Sequence, residues 1–294
     1  MLKKLYKRLF NNRFYTKNFC NPFLGYQISV LGDYQGINEG NPREIPIIVS
    51  LTSYRGRFKS LPKTLYSILN QSLKPDRIIL WLNEEDENLT SIPYEITQFV
   101  KNGLEIKFVK NIRSYTKAIY AFKEYPNSII VTADDDIYYA ANWLKKLYLS
   151  YISHPEDIHV HKTVRVKYNE DGILPYKCWE KNIKKETADY QNFICGAGGV
   201  LYPPKCFSRE VLREDIFLKH SPNSDDVWFW VMALVNNKKI RLVKNHIEKL
   251  LLTNIFNQLF GKTLYFHNKN GGYDRQLNNL MKFYGQNILA KIKS

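Results

Sequence analysis

From Ile45 onward, short apolar runs alternate with segments whose apolar residues recur every three or four positions. "IPIIVSLTSY" (45–54) reads as a strand ending in small polar residues. "SLPKTLYSILNQS" (60–72) then reads as a helix, with Ser60 at its N-cap, Pro62 in its first turn, and Leu61, Leu65, Ile68 and Leu69 on one face. "DRIILWLNEED" predicts a second strand, 94–102 a helix, "LEIKFV" a third strand and "SYTKAIYAFKEY" a helix. A fourth strand, Ile129 to Thr132, runs straight into Asp134, Asp135 and Asp136. Strands alternating with helices predict an α/β fold, a mostly parallel central sheet covered on both faces. Ligands bind such sheets beyond the carboxyl ends of the strands, where the three aspartates fall.

Beyond Trp143 the pattern is less regular. "IHVHKTVRVKY" predicts one or two strands, "NFICGAGGVLYPP" a glycine-rich strand or loop, and "DDVWFWVMALVNN" a helix. "RQLNNLMKFYGQNILAKI" predicts a single closing helix. At the other end, Leu2, Leu5, Tyr6, Leu9 and Phe10 share one helical face, with Lys3, Lys4, Lys7 and Arg8 off it. Such a basic amphipathic helix suits an anionic membrane surface through residues 1–17; a helix packed on its own domain, or a frayed tail, reads equally well. Residues 20–44, scattered with Gly, Pro and Asn, read as a connector, giving three segments: 1–44, a catalytic domain over 45–270, and a helical extension over 271–294.

Composition narrows the class. Apolar content of 44% over 294 residues supports a substantial core and excludes a disordered chain. No uninterrupted apolar stretch reaches the roughly 18 residues of a membrane-spanning helix, and the basic N-terminus lacks the apolar core of a secretory signal. A cytoplasmic protein, peripheral on the inner membrane face if the first helix binds there, is the expectation. Cys20, Cys178, Cys195 and Cys206 show no C-x-x-C spacing, so neither a zinc knuckle nor a disulfide framework is expected. The net charge of +15 favours anionic partners, and six of the 43 basic residues precede the first acid, Asp33. Nucleic acid is not among the expected partners. No RNP-type segment, zinc-finger spacing or helix-turn-helix is present, and acidic clusters at element ends repel phosphate backbone.

Three adjacent carboxylates repel one another unless a cation intervenes. Asp134 and Asp136, in D-x-D spacing, are hard oxygen ligands suited to Mg²⁺ or Mn²⁺, which keep positions open for substrate phosphates. Taken alone, the triplet reads equally as an acidic turn capping the next helix.

The stretch "IIVSLTSYRGRFKSLPKTLYSILNQSLKPDRIILWLNEED", followed by "SIIVTADDDIYY", resembles the start of glycosyltransferases of the GT-A fold. The resemblance covers about Ile45 to His267. It implies a nucleotide-binding α/β sandwich in which Asp134 and Asp136 hold Mn²⁺ or Mg²⁺ on the diphosphate of a nucleotide sugar, with Asp135 beside them. "GAGGVLYPP" resembles the segment that lets backbone approach donor or acceptor, which implicates Gly198 and Gly199; a tight turn explains the same glycines. "SDDVWFW" resembles the acidic pair of inverting members, where one carboxylate takes the acceptor's proton; Asp226 is the first choice and Asp225 the second. A plain helix N-terminus also favours Asp there. "LYFHNKNGGYDRQ" brings His267 ahead of a Gly-Gly pair, as in members whose late histidine completes the metal shell. By position, Thr52, Ser53, Tyr54 and Arg57 fall where the family binds base and ribose, and Arg113 and Lys117 where cations meet phosphate; a solvated basic face explains the last two as well.

The resemblance therefore implies metal-dependent transfer of a sugar, from UDP first among nucleotides, to a hydroxyl of a surface-glycan or lipid-linked saccharide acceptor, with inversion. A capsule-type sugar-phosphate transferase on a similar scaffold is the near alternative.

Overall fold

The computed structural model describes residues 35–40, 42–253, 264–285 and 287–293. The expected N-terminal amphipathic helix and Cys20 lie outside them. An eight-stranded sheet organises the chain. In chain order its strands are β1 (Ile47–Thr52), β2 (Arg77–Asn83), β3 (Leu104–Val109), β4 (Ile129–Ala133), β5 (Ile158–Val160), β6 (Ala188–Asp189), β7 (Val200–Tyr202) and β8 (Ile240–Leu242). Their spatial order is β6-β8-β5-β7-β4-β1-β2-β3.

β3, β2, β1 and β4 form one parallel block, and β5 and β8 pair in parallel as a second. The three-residue β7 runs antiparallel between the blocks, pairing with both β4 and β5. Edge strand β6 is also antiparallel. The expected mostly parallel α/β sheet is thus present, with a reversed seam that the apolar pattern does not show. Because the chain crosses from β3 back over β1 to reach β4, strand order reverses at the β1–β4 pair. A crevice opens at the carboxyl ends of strands at such a point.

Alternation along the strands assigns each residue to a face. Ile47, Val49 and Leu51 face one apolar cluster, with Leu201 and the helices α1 (Leu61–Leu69) and α3 (Trp143–Ser153). Ile48, Ile79 and Trp81 face the other, with α2 (Thr116–Glu124), α4 (Asp225–Val235), Leu277 and Leu280. Burial on both faces explains why these strands read as continuous apolar runs.

Three local expectations change. Ser60 stands at the start of α1, but its hydroxyl donates to the Arg57 carbonyl and caps nothing. The segment 94–102 is one α-turn followed by a 3-10 turn, because Pro93 opens it and Gly103, at φ +100°, closes it within nine residues. The closing helix is two helices, α5 (Tyr273–Tyr284) and α6 (Asn287–Lys293), because Gly285 adopts φ +81° and ends the first.

Two buried histidines tie the second block together. His159 accepts from the Ser150 hydroxyl at Nδ1 and donates from Nε2 to the His154 carbonyl. His161 donates from Nε2 to the Trp143 carbonyl and accepts the Ile247 N–H at Nδ1. Burial pushes both down from 6.5 to about 3. The unfolded chain therefore binds more protons between those values. The stability that the neutral rings contribute is complete above pH 6.5 and is lost as pH falls toward 3, about 5 kcal/mol for each ring if fully expressed. Urea midpoints should fall from pH 7 to pH 4, and a His159→Asn/His161→Asn variant should show a flatter profile. Equal slopes for the two proteins would refute this.

Candidate active site

The carboxyl ends of the strands open into one cleft of about 1480 Å³. Single-ligand pockets run to roughly 300–1,000 Å³, so there is space for two substrates. Thr52, Ser53, Tyr54 and Arg57 follow β1 into it, and Asp134, Asp135 and Asp136 enter after β4. Arg113, Lys117, Asp225 and Asp226 line the same cleft. The β1–β4 reversal thus brings together most of the residues expected from the sequence.

Their contacts answer how the triple aspartate is tolerated. Lys117 places its ammonium 2.6 Å from Asp134 and 3.1 Å from Asp225, joining the two acidic clusters. Burial alone would lower the Lys117 pKa, but Asp134, Asp225 and Asp226 outweigh it and hold it well above the lysine range. Arg57 reaches Asp135 at 2.8 Å and Asp136 at 2.6 Å. Burial opposes the Arg57 charge, and the two carboxylates outweigh that as well. Asp135 also accepts from the Ser53 hydroxyl at 2.6 Å, while its carbonyl accepts from Thr64. Burial pushes Asp135 up to about 6, against Arg57 and Ser53. It is the least exposed member of the triplet and shares the Arg57 guanidinium with Asp136.

The acid pair opens α4. Ser224 caps this helix by accepting the Val227 N–H, which releases both aspartates from capping. Asp225 is committed to Lys117. Asp226 accepts the Gly196 N–H at 3.0 Å through Oδ1, and its other oxygen carries no hydrogen bond among the described residues. Burial, then the neighbouring Asp225, raise the Asp226 carboxyl well above the usual range. A carboxylate so placed is a stronger base than an exposed one.

Several placements are set from behind. Ser50, buried in β1, donates to the Lys117 carbonyl and accepts from the Trp81 indole, fixing the start of α2 to the sheet. Tyr115 stacks on Phe217 with centroids 4.1 Å apart and donates to the Ser221 and Ser224 carbonyls, holding the turn before α4. Arg113, at φ +64°, donates to the Pro222 carbonyl and to Asn223 on the same turn.

Two expected groups lie elsewhere. Gly198 and Gly199 pack on Trp143, whose indole donates to the Gly198 carbonyl. A Cβ on Gly199, at φ +84°, would come within 2.5 Å of that ring, so packing demands the glycine. His267 is exposed at the end of a short helix and does not line the cleft, whereas its neighbours Leu264 and Asn268 do. Conversely, Gly196 was not singled out from the sequence. Its Cβ would stand 2.7 Å from Asp226 Oδ1, so glycine is required for the backbone to reach that carboxylate.

The donor set bears on a metal. Among the described residues no three His, Cys, Asp or Glu side chains converge as a closed metal site. Five carboxylates nonetheless face only Arg57 and Lys117 across this part of the cleft, an excess of negative charge that a divalent cation would offset. Asp134 and Asp136 are the more exposed members of the triplet. They fit a hard cation shared with substrate phosphate, the mode in which Mg²⁺ takes one or two carboxylates.

The chain matches the family described as Glycosyl transferase family 2 over residues 49–215. No curated protein matches it. Among solved structures it is similar to S. aureus TarS 1-349 in complex with UDP, at 16% identity and a TM-score of 0.46, covering 69% of this chain and 59% of that one. It is also similar to a CMP:2-keto-3-deoxy-manno-octonic acid synthetase complexed with CTP, at 8% identity and a TM-score of 0.42, covering 76% of this chain and 99% of that one.

Proposed function

The chain belongs to glycosyl transferase family 2 and is a glycosyltransferase, and from that premise we propose that it moves a sugar from a nucleoside-diphosphate donor to an acceptor hydroxyl, with inversion. The observation that carries this reading is the union of both acidic clusters in one cleft, joined by Lys117, with Asp226 the member of the second cluster that forms no ion pair among the described residues.

The donor nucleotide occupies the carboxyl ends of β1 and β2. Tyr54, 60% exposed, offers a ring for the base, and Thr52 and Ser53 lie at its ribose side. Asp134 and Asp136 would hold Mn²⁺ or Mg²⁺ on the diphosphate, which when bound draws charge off the leaving group. Asp226 takes the proton from the acceptor hydroxyl as that oxygen bonds to the anomeric carbon. The bond from that carbon to the diphosphate breaks, and the nucleotide leaves with the electron pair. Asp225 lies beside Asp226, paired with Lys117.

Residues 45–270 form the catalytic unit in this reading, and the acceptor is a surface-glycan or lipid-linked saccharide. The basic amphipathic stretch at 1–17 supports a position at an anionic membrane face. No helix among the described residues is long and apolar enough to cross a membrane.

Thermal unfolding of the full chain with UDP-, GDP- and CMP-sugars, each with Mn²⁺ or with EDTA, tests the donor site. One nucleotide at a hundredfold excess over its Kd should stabilise by about 2.7 kcal/mol, a rise in Tm of roughly 5 °C or more, in the metal arm only. Asp136→Ala should abolish the rise. A shift that persists in EDTA and in the variant would sink the metal assignment; no shift with any nucleotide would sink the donor site itself.

A further inference from the structure

The cleft does not end at Asp226. Past the acidic clusters it continues across the ends of β5 and β8, on the far side of β4 from the strands that flank the donor. Lys162, Lys181, Lys184 and Lys249 line this half, against the single acid Glu248. Across the whole chain the balance is 43 basic residues to 28 acidic, so the four-to-one ratio here is a local enrichment.

None of these four lysines forms an ion pair among the described residues. Of the nearby cations outside the cleft, Arg165 pairs with Asp189, Lys167 with Glu180 and Arg241 with Asp157, while Lys185 and Lys244 form no ion pair among the described residues; what distinguishes the four lysines is that they line the cleft. The segments that carry them are tied to one another. Arg165 and Glu180 exchange both backbone hydrogen bonds, anchoring the start of the Lys181–Lys184 loop to the strand after Lys162. The Asn245 N–H donates to Glu186, and the Ile247 N–H to His161, which fastens the Lys249 loop to both. Three stretches distant in sequence thus present unneutralised cations around one opening. Tyr176 and Tyr273, tilted 39° to each other with centroids 4.6 Å apart, line its floor, and Lys181 lies over the Tyr176 ring.

An unpaired cation aimed into a cleft favours an anion. We propose that this half of the cleft is the acceptor subsite and that the acceptor is an anionic saccharide, carrying phosphate or carboxylate groups beside the hydroxyl that reacts. This rests on the glycosyl-transfer reading above, because it places the acceptor opposite the donor across Asp226. The buried Tyr176 and Tyr273 form the floor beneath the lysines, and the lysine rim takes the charges that flank the reacting hydroxyl.

Calorimetric titration of the full chain tests it, using three oligosaccharides of equal length: neutral maltohexaose, phosphorylated maltohexaose and hexagalacturonate. UDP, GDP and CMP, each with Mn²⁺, are titrated in parallel. One or both charged probes should bind about tenfold or more tightly than the neutral one, with the advantage shrinking as salt rises. The preferred probe identifies phosphate or carboxylate as the charge. A Lys162→Ala/Lys181→Ala/Lys184→Ala/Lys249→Ala variant should lose the preference and keep nucleotide affinity. Because Lys162 is half-buried, the variant that retains it and changes the three exposed lysines serves as a folding control and should lose most of the preference. Equal binding of charged and neutral probes, or a preference that survives the substitutions, would overturn the proposal. Loss of nucleotide affinity in the variants would also overturn it, assigning the lysines to the donor phosphates. Absence of binding by UDP, GDP and CMP alike in the unaltered protein would instead refute the donor-site reading beneath it.

Discussion

Asp226→Asn should lower the rate of sugar transfer about a thousandfold while leaving donor affinity within a factor of about two, because a positioned base contributes 10²–10⁴. The amide keeps the shape and still accepts the Gly196 N–H, so the loop geometry is retained. What disappears is the oxygen that receives the acceptor's proton. The raised carboxyl gives the substitution a second signature. In the unaltered enzyme kcat/KM should climb with pH as Asp226 loses its proton, and the residual rate of the variant should lack that limb. Single-turnover transfer across pH would show both effects. A variant with more than a tenth of the original rate would remove Asp226 from the chemistry and direct attention to Asp225.

The second large effect is on folding. Lys117→Met should destabilise the protein by about 3–5 kcal/mol, the range for stripping one partner from a buried ion pair. The methionine fills similar volume, but Asp134 and Asp225 then face each other, with Asp226 beside them, and no cation between. Domain stabilities are of order 5–15 kcal/mol, so the loss is a large share of the total. Adding Asp225→Asn to Lys117→Met should recover more than half of it. Urea denaturation of the single and double variants measures both. Independent, additive losses would mean that the ammonium does not balance these carboxylates.

The same lysine shows where reading the chain succeeds and where it stops. β1, β2 and β4 were legible because a strand buried on both faces must be apolar throughout, and α1 because its apolar residues recur at helical spacing. The aspartates were legible as a site because three adjacent anions at a strand end need a counter-charge. Their counter-charges were not, because Lys117 and Arg57 reach them only after the chain has folded back. Lys117 therefore read as a cation for phosphate or part of a solvated face, with no sign of the ion pairs it makes to Asp134 and Asp225. Gly196 was hidden among four nearby small residues, and only its distance to Asp226 distinguishes it. Gly198 and Gly199 drew notice as backbone that lets a substrate approach, or as a tight turn; the Gly199 position leaves room for the Trp143 indole, which donates to the Gly198 carbonyl. β7 was illegible as a reversed strand, since direction leaves no trace in a run as short as Val-Leu-Tyr.

That reversed strand also has a meaning in time. During synthesis, β1 to β4 can assemble as soon as Ala133 has emerged, but the β4 edge they leave open is claimed only by Val200–Tyr202. Until then the growing chain presents a bare apolar strand, Ile129–Ala133, able to pair with any other extended segment nearby. Within the sheet the second block is hydrogen-bonded to the first through the three residues of β7, while one apolar cluster spans both blocks. The nascent chain would be most in need of chaperones between the emergence of Ala133 and that of Tyr202.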